Sequence, residues 1–439
     1  MTIANVKSPT APVTAPASSA RVALAVVTSL FFMWGFVTVL NDVLVPHLKS
    51  IFDLNYAQAS LIQFALFLAY FIFSIPSAQL IDSIGYKKTM VVGVVVMGVG
   101  ALLFIPSAMV PSYPLFLGAL MILAGGITAL QVAANPYVAV LGPPETASSR
   151  LNLSQAFNSL GTAIAPYLGG RLILSATARD MNVIRQMSPD ALQAYRVQEA
   201  SSVKLPYLVI GLALIALGVA ISLFKLPPMP GAEHHKGDTP AESVWKHRNL
   251  VLGVVGIFVY VGAEVSIGSY LINYLSQTNI GNISEVAAAK YVSFYWGGAM
   301  VGRFIGSAIL QKVRTGTVLG LAALAAFGLV CITIVSSGHV AMGSIIFVGL
   351  FNSVMFPSIF TLGIAELGPL TGDGSGLLIM AIVGGALIPF AQGALADSIG
   401  LHHAFILPAI CYLYIVYYAI RGSKPVATAC ENHAQPVSG

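Results

Sequence analysis

A chain of 439 residues that is 57% hydrophobic and only 8% charged, with a mean hydropathy of +0.85, cannot cover a water-facing surface, for which soluble domains use roughly 25% charged residues. Its outer face must therefore be lipid, and the formal charge of +5 reads as the Lys/Arg excess of cytoplasmic loops, not as a nucleic-acid footprint. Three cysteines, Cys331, Cys411 and Cys430, lack paired spacing and make neither a disulfide framework nor a zinc site.

Residues 1–20 are rich in Pro, Ala, Ser and Thr without an apolar core, so they read as a disordered cytosolic tail and not a signal peptide. Crossing roughly 30 Å of hydrocarbon takes about 20 apolar residues. Such stretches are predicted at 22–45, 57–80, 88–108, 114–141, 151–175 and 205–225. Six more are predicted at 250–276, 286–311, 315–337, 341–364, 374–397 and 402–421. The fold class is an all-α membrane protein of about twelve spans, with halves at 21–225 and 250–421. A polar segment at 226–249 reads as a cytoplasmic linker, 171–204 as a long polar loop, and 422–439 as a cytosolic tail.

Basic residues set the orientation. With the N-terminus inside, Lys87, Lys88, Arg150, Lys225, Lys246, Arg248, Lys312, Arg314 and Arg421 fall in cytoplasmic segments, whereas the short outer loops hold only Lys49 and Lys290. Both termini are expected in the cytoplasm.

The two halves share a pattern. Gly161, Ala163, Pro166 and Gly170 recur as Gly384, Ala386, Pro389 and Gly393, about 223 residues later. Pro136 and Gly142 recur as Pro357 and Gly363 at an offset of about 221. A six-plus-six duplication explains both, and such repeats build transporters whose substrate sits near the midplane between the halves.

Ionisable residues at membrane depth are costly and therefore functional candidates. Asp42 in the first span and Glu264 in the seventh lie 222 apart, close to the repeat offset, and are expected to face one cavity. A carboxyl shielded from water favours its protonated form, which suits a group that loads and releases a cation. The competing structural role is capping a broken helix. Arg303, toward the cytoplasmic end of the eighth span, reads as a gate residue. Carboxamides supply the paired donors and acceptors that a polyol needs, and aromatic faces suit its C–H surfaces. Asn41, Gln63, Gln131, Gln155, Asn158, Tyr270, Asn273 and Trp296 are the binding candidates, against a competing role as helix–helix glue. Gln155 and Asn158 share a helix face. No phosphate-binding loop occurs, and the histidine pairs at 234–235 and 402–403 have no complementary ligands, so neither ATP-driven transport nor an enzyme is expected.

The loop after the second span reads Asp82-Ser-Ile-Gly85-Tyr-Lys87-Lys88, matching the D-x-x-G-x-[RK]-[RK] part of the major facilitator signature, with Ala78 in place of the upstream Gly. Together with Gln131-Val-Ala-Ala-Asn135-Pro136-Tyr137, Arg150-Leu-Asn152-Leu-Ser-Gln155-Ala-Phe-Asn158 and the segment from Asn352 to Gly363, it resembles the fucose/galactose/glucose branch of the major facilitator superfamily. The resemblance runs from about 25 to 420 and implies the major facilitator fold with proton-coupled monosaccharide import by alternating access. It matches Asp42, Gln155 and Asn158 to functional positions of the L-fucose:proton symporters. Those symporters carry a Glu where this chain has Gln131 and a Gln where it has Glu264, so the glucose/galactose members are the nearer pattern. The expected partners are a sugar and the lipid bilayer of a bacterial inner membrane, with no nucleic acid and no cofactor. The coupling ion is expected to be a proton, with sodium or no coupling as the alternatives, and the chain a monomer. A non-transporting sugar sensor, the competing class, would need a folded output domain larger than either tail or the linker.

Overall fold

The computed structural model describes residues 17–52, 56–110, 112–172, 186–201, 203–229 and 243–424, with the side chains at 40–57 outside that description. Among the described residues the chain is helical and contains no strand. The first half comprises α1 (Ala17–Phe52), α2 (Tyr56–Met109), α3 (Tyr113–Val140), α4 (Ala147–Leu172), α5 (Pro189–Ser201) and α6 (Lys204–Leu223). The second comprises α7 (Arg248–Leu275), α8 (Glu285–Ile309), α9 (Thr315–Val335), α10 (Gly338–Asn352), α11 (Met355–Gly363), α12 (Thr371–Met380), α13 (Gly384–Ile399), α14 (Leu401–Ala404) and α15 (Ile406–Tyr417).

Nine stretches among the described residues are long and apolar enough to cross a bilayer. One of them, Leu61–Met109, holds two crossings, because Gly85 breaks α2 at φ 80° and ψ 165°. That backbone suits glycine alone, and it supplies the turn that the loop signature needs. Two further helices, α4 and α8, run for 26 and 25 residues; both are long enough to cross, and their polar faces lower their hydropathy. Twelve crossings result among the described residues. The first span, expected from 22, lies within α1, whose apolar stretch runs over Ser19–Val39 among the described residues. The expected polar loop at 171–204 contains a short polar helix, α5.

The repeated glycines do the same work in each half. A Cβ on Gly161 would collide with the Phe32 carbonyl, and one on Gly384 with the Phe258 carbonyl. So α4 closes on α1 as α13 closes on α7. These contacts set the structural register between α1 and α7. Phe32 and Phe258 are 226 apart, one helical turn more than the separation of Asp42 and Glu264. On this register Glu264 corresponds to Thr38, not to Asp42. The expected equivalence of the two acids is corrected by one turn, because loop-length differences shift the repeat offset along the chain.

The four residues Asp82-Ser-Ile-Gly85 recur as Asp397-Ser-Ile-Gly400, where Gly400 turns the chain at φ 82°. Beyond that second turn, His402 ties three helices together. Its Nε2–H donates to the Ile334 carbonyl at 2.8 Å, and the Tyr274 hydroxyl lies 3.1 Å from Nδ1. This histidine is a structural clamp.

The halves are stitched at one end. The Ser148 hydroxyl lies 2.9 Å from that of Thr315 and 2.5 Å from that of Thr361. The Ser149 hydroxyl donates to the Ser307 carbonyl at 2.7 Å, and Ser375 donates to the Val132 carbonyl at 2.7 Å. At the same end Asp82 lies by the first turn of α12, where a Cβ on Gly372 would stand 3.6 Å from its Oδ1. The positive end of that helix favours a nearby carboxylate. Lys87 donates to the Ser222 carbonyl at 2.8 Å at the end of α6, and Lys88 is exposed. The loop signature thus sits at the closed seam.

Candidate substrate cavity between the halves

A cavity of about 190 Å³ lies between the halves. That is below the roughly 300–1,000 Å³ of drug-sized sites and suits a small polar solute. The first half contributes Trp34 and Thr38 from α1, Tyr70 from α2, Gln131 from α3, and Gln155, Asn158 and Thr162 from α4. From the second come Tyr260 and Glu264 on α7, Arg303 on α8 and Phe356 on α11. Trp34 and Tyr260 occupy repeat-equivalent positions on α1 and α7, as do Thr38 and Glu264.

Two amide–tyrosine pairs reinforce the symmetry. Gln131 Nε2 donates to the Tyr70 hydroxyl at 2.8 Å, and Asn352 Nδ2 donates to the Tyr295 hydroxyl at 2.9 Å. Asn352 also accepts from Tyr412 at 2.8 Å, and its carbonyl accepts from Tyr260 at 3.0 Å. The second amide is fully buried and acts as a brace, whereas Gln131 opens on the cavity.

Charge enters from one side. Glu264 is 9% exposed, and its Oε1 has no hydrogen-bond partner in the described structure. The Arg303 guanidinium acts on it electrostatically while donating to the Ser159 hydroxyl of the opposite half. An unpartnered buried acceptor beside a cation, on a residue that lines a polar cavity, requires an explanation. A ligand hydroxyl or a proton supplies one. Gln155 is buried with no side-chain hydrogen bond among the described residues, while Asn158 donates to the Phe31 carbonyl at 3.0 Å.

The Major Facilitator Superfamily model matches residues 22–382. The chain belongs to the major facilitator superfamily. It is 52% identical to the glucose/galactose transporter of Brucella abortus over 92% of this chain and 94% of that one. It is 35% identical to the L-fucose-proton symporter of Escherichia coli over 90% of this chain and 92% of that one. The solved structure of the fucose:proton symporter in the outward conformation superposes with a TM-score of 0.85 at 35% identity, covering 91% of this chain and 98% of that one. The proton:xylose symporter, at 12% identity and a TM-score of 0.67, shares the fold. The relatives are transporters, and this chain is a multi-pass membrane transporter, not an enzyme.

The structure brings together Gln131, Gln155, Asn158, Glu264 and Arg303 of the residues singled out in the sequence. Four binding candidates lie elsewhere. Gln63 is exposed near the start of α2, and Asn273 is exposed near the end of α7. The Tyr270 hydroxyl donates to the Pro389 carbonyl at 3.1 Å, bracing α7 on α13. Trp296 is 42% exposed and packs edge-on against Tyr295. On α7 the 3.6-residue period turns Tyr270 and Asn273 off the stripe of Tyr260 and Glu264, whereas Gln63 and Trp296 share the faces of Tyr70 and Arg303 but lie two turns, about 10 Å, along their helices from them. Asn41 and Asp42 lie outside the residues whose side chains are described. Tyr70, Thr38 and Thr162 also line the cavity; Thr38 and Thr162 lie one helical turn from Trp34 and Asn158, a spacing visible in the sequence, whereas Tyr70 is tied to the site only through Gln131, 61 residues away.

Proposed function

We propose that the protein imports a monosaccharide across a bacterial inner membrane by proton-coupled symport, with both termini in the cytoplasm. The observation that carries this reading is the cavity itself. Three carboxamides of one half and a buried carboxyl of the other line a space of about 190 Å³ together with Trp34 and Tyr260. Amides and a carboxylate match the vicinal hydroxyls of a sugar, and the two rings match its C–H faces. The substrate class is hexose, of the glucose, galactose, mannose, fucose or amino-sugar type. Similarity to glucose/galactose transporters and a neutral Gln131 favour glucose and galactose. With the stitched seam on the cytoplasmic side, the cavity opens outward, and transport requires that seam to part as the opposite end closes.

The test is uptake of a labelled sugar panel into proteoliposomes under imposed gradients. Accumulation of glucose or galactose driven by a proton gradient, and not by a sodium gradient, is the expected result. Accumulation driven by sodium alone, or equilibration without accumulation under either gradient, would overturn the coupling. Failure of every sugar in the panel to enter would overturn the substrate class.

A further inference from the structure

A groove of about 710 Å³ runs along the outside of the first half, between α1, α4 and α6. Its walls are apolar along most of their length, including Leu24, Phe32, Leu153, Phe157 and Leu217, and one end is marked by Arg21. Arg21 is exposed in the first turns of α1, two residues inside the start of the apolar stretch at Ser19. From Arg21 to Met33, the groove's far end on α1, the helix rises about 18 Å at 1.5 Å per residue. One leaflet of hydrocarbon is about 15 Å deep, half of the roughly 30 Å core. The groove therefore has the length of an acyl tail plus the start of a headgroup, and a fixed positive charge where the phosphate would lie. We propose that it is a binding site for one anionic phospholipid, with the headgroup on Arg21 and a tail along α1 and α4.

Charge decides the occupant. Arg presents a planar fork that takes phosphate oxygens in pairs, and basic pockets between membrane helices hold anionic headgroups. A second apolar groove of about 610 Å³, between α8 and α10, serves as an internal control. No Lys or Arg lines it, and His339 is its one basic side chain, so it lacks a fixed positive charge and its lipid should be chosen mainly by shape. The proposed site also touches the moving part of the molecule. Phe157, in its wall, meets Phe304 of the other half edge-on at 6.1 Å.

The experiment is native mass spectrometry of the delipidated full-length protein titrated with phosphatidylglycerol or with phosphatidylcholine of the same chains. The wild type should retain at least one phosphatidylglycerol at collision energies that strip phosphatidylcholine. Arg21→Gln should lose one retained phosphatidylglycerol, Arg21→Lys should restore part of it, and Ala25→Trp, which fills the groove, should weaken both lipids. Gly343→Leu, in the control groove, should leave the preference unchanged. Wild-type protein with no preference for phosphatidylglycerol would overturn the proposal, as would Arg21→Gln retaining the same number as wild type. Counterflow by each variant reports that it is folded.

Discussion

Gln155 and Asn158 share a helix face, yet they have different obligations. The Gln155 amide has no protein hydrogen bond among the described residues, whereas Asn158 holds the Phe31 carbonyl at 3.0 Å. Leaving a sugar hydroxyl unpaired in a buried site costs about 1–3 kcal/mol. Gln155→Ala should therefore weaken sugar binding roughly ten-fold, by about 1.4 kcal/mol, without lowering the melting temperature. Asn158→Ala should weaken binding similarly and also melt earlier, since α4 loses a tie to α1. Isothermal titration and thermal unfolding of both variants separate the two effects, and unchanged affinity in both would remove these amides from the site. Much of this site was legible in the sequence, because carboxamides and a carboxyl in apolar helices stand out against their surroundings. Tyr70 was not, since its meaning comes from Gln131, 61 residues away, and a lone tyrosine in a hydrophobic stretch has no visible partner.

Helix packing depends on glycine in some places and merely tolerates it in others. Gly161 and Gly384 lie against backbone carbonyls of α1 and α7, so a side chain there must push whole helices apart. Gly161→Leu and Gly384→Leu should each destabilise the protein by about 1–3 kcal/mol, the usual cost of overpacking. A Cβ on Gly297 meets nothing within 4 Å, so Gly297→Ala should be neutral or add up to about 1 kcal/mol through helix propensity. Thermal unfolding in detergent ranks the three, and equal melting temperatures would contradict the packing account. The repeat itself was readable from Gly and Pro spacing. Its register at α1 and α7 was not, because Phe32 and Phe258 have no distinctive chemistry and the match appears only once the glycines above them are packed. The spans at α4 and α8 were readable from length despite their polar faces, whose amides and arginine are what give them a place at the cavity and the seam.

As a whole, the molecule consists of two bodies held at one end by small hydroxyls. The bonds from Ser148 to Thr361 and from Ser149 to Ser307 are each worth about 1 kcal/mol net, a weight suited to a seam that must open and reclose. Ser148→Ala with Ser149→Ala should raise the share of molecules parted there. A cysteine at Ser375, in a background without native cysteines, should then alkylate several-fold faster than in the otherwise unaltered seam. Equal rates would mean that these hydroxyls do not hold the closed end.

Coupling is the central claim, and Asp42 and Glu264 are the carboxyls proposed to carry it. Gln131 is neutral, and Glu264, which lines the cavity with Arg303, keeps a buried oxygen without a hydrogen-bond partner among the described residues. Counterflow needs only alternating access with sugar on both sides, whereas accumulation also needs a cation that binds and leaves in step. The decisive measurement is counterflow and proton-driven uptake side by side in Asp42→Asn and Glu264→Gln. Both variants should retain counterflow; Asp42→Asn should lose accumulation, and Glu264→Gln should lose it or shift its pH dependence. Full gradient-driven uptake by both variants, with the pH dependence of the wild type, would contradict the account.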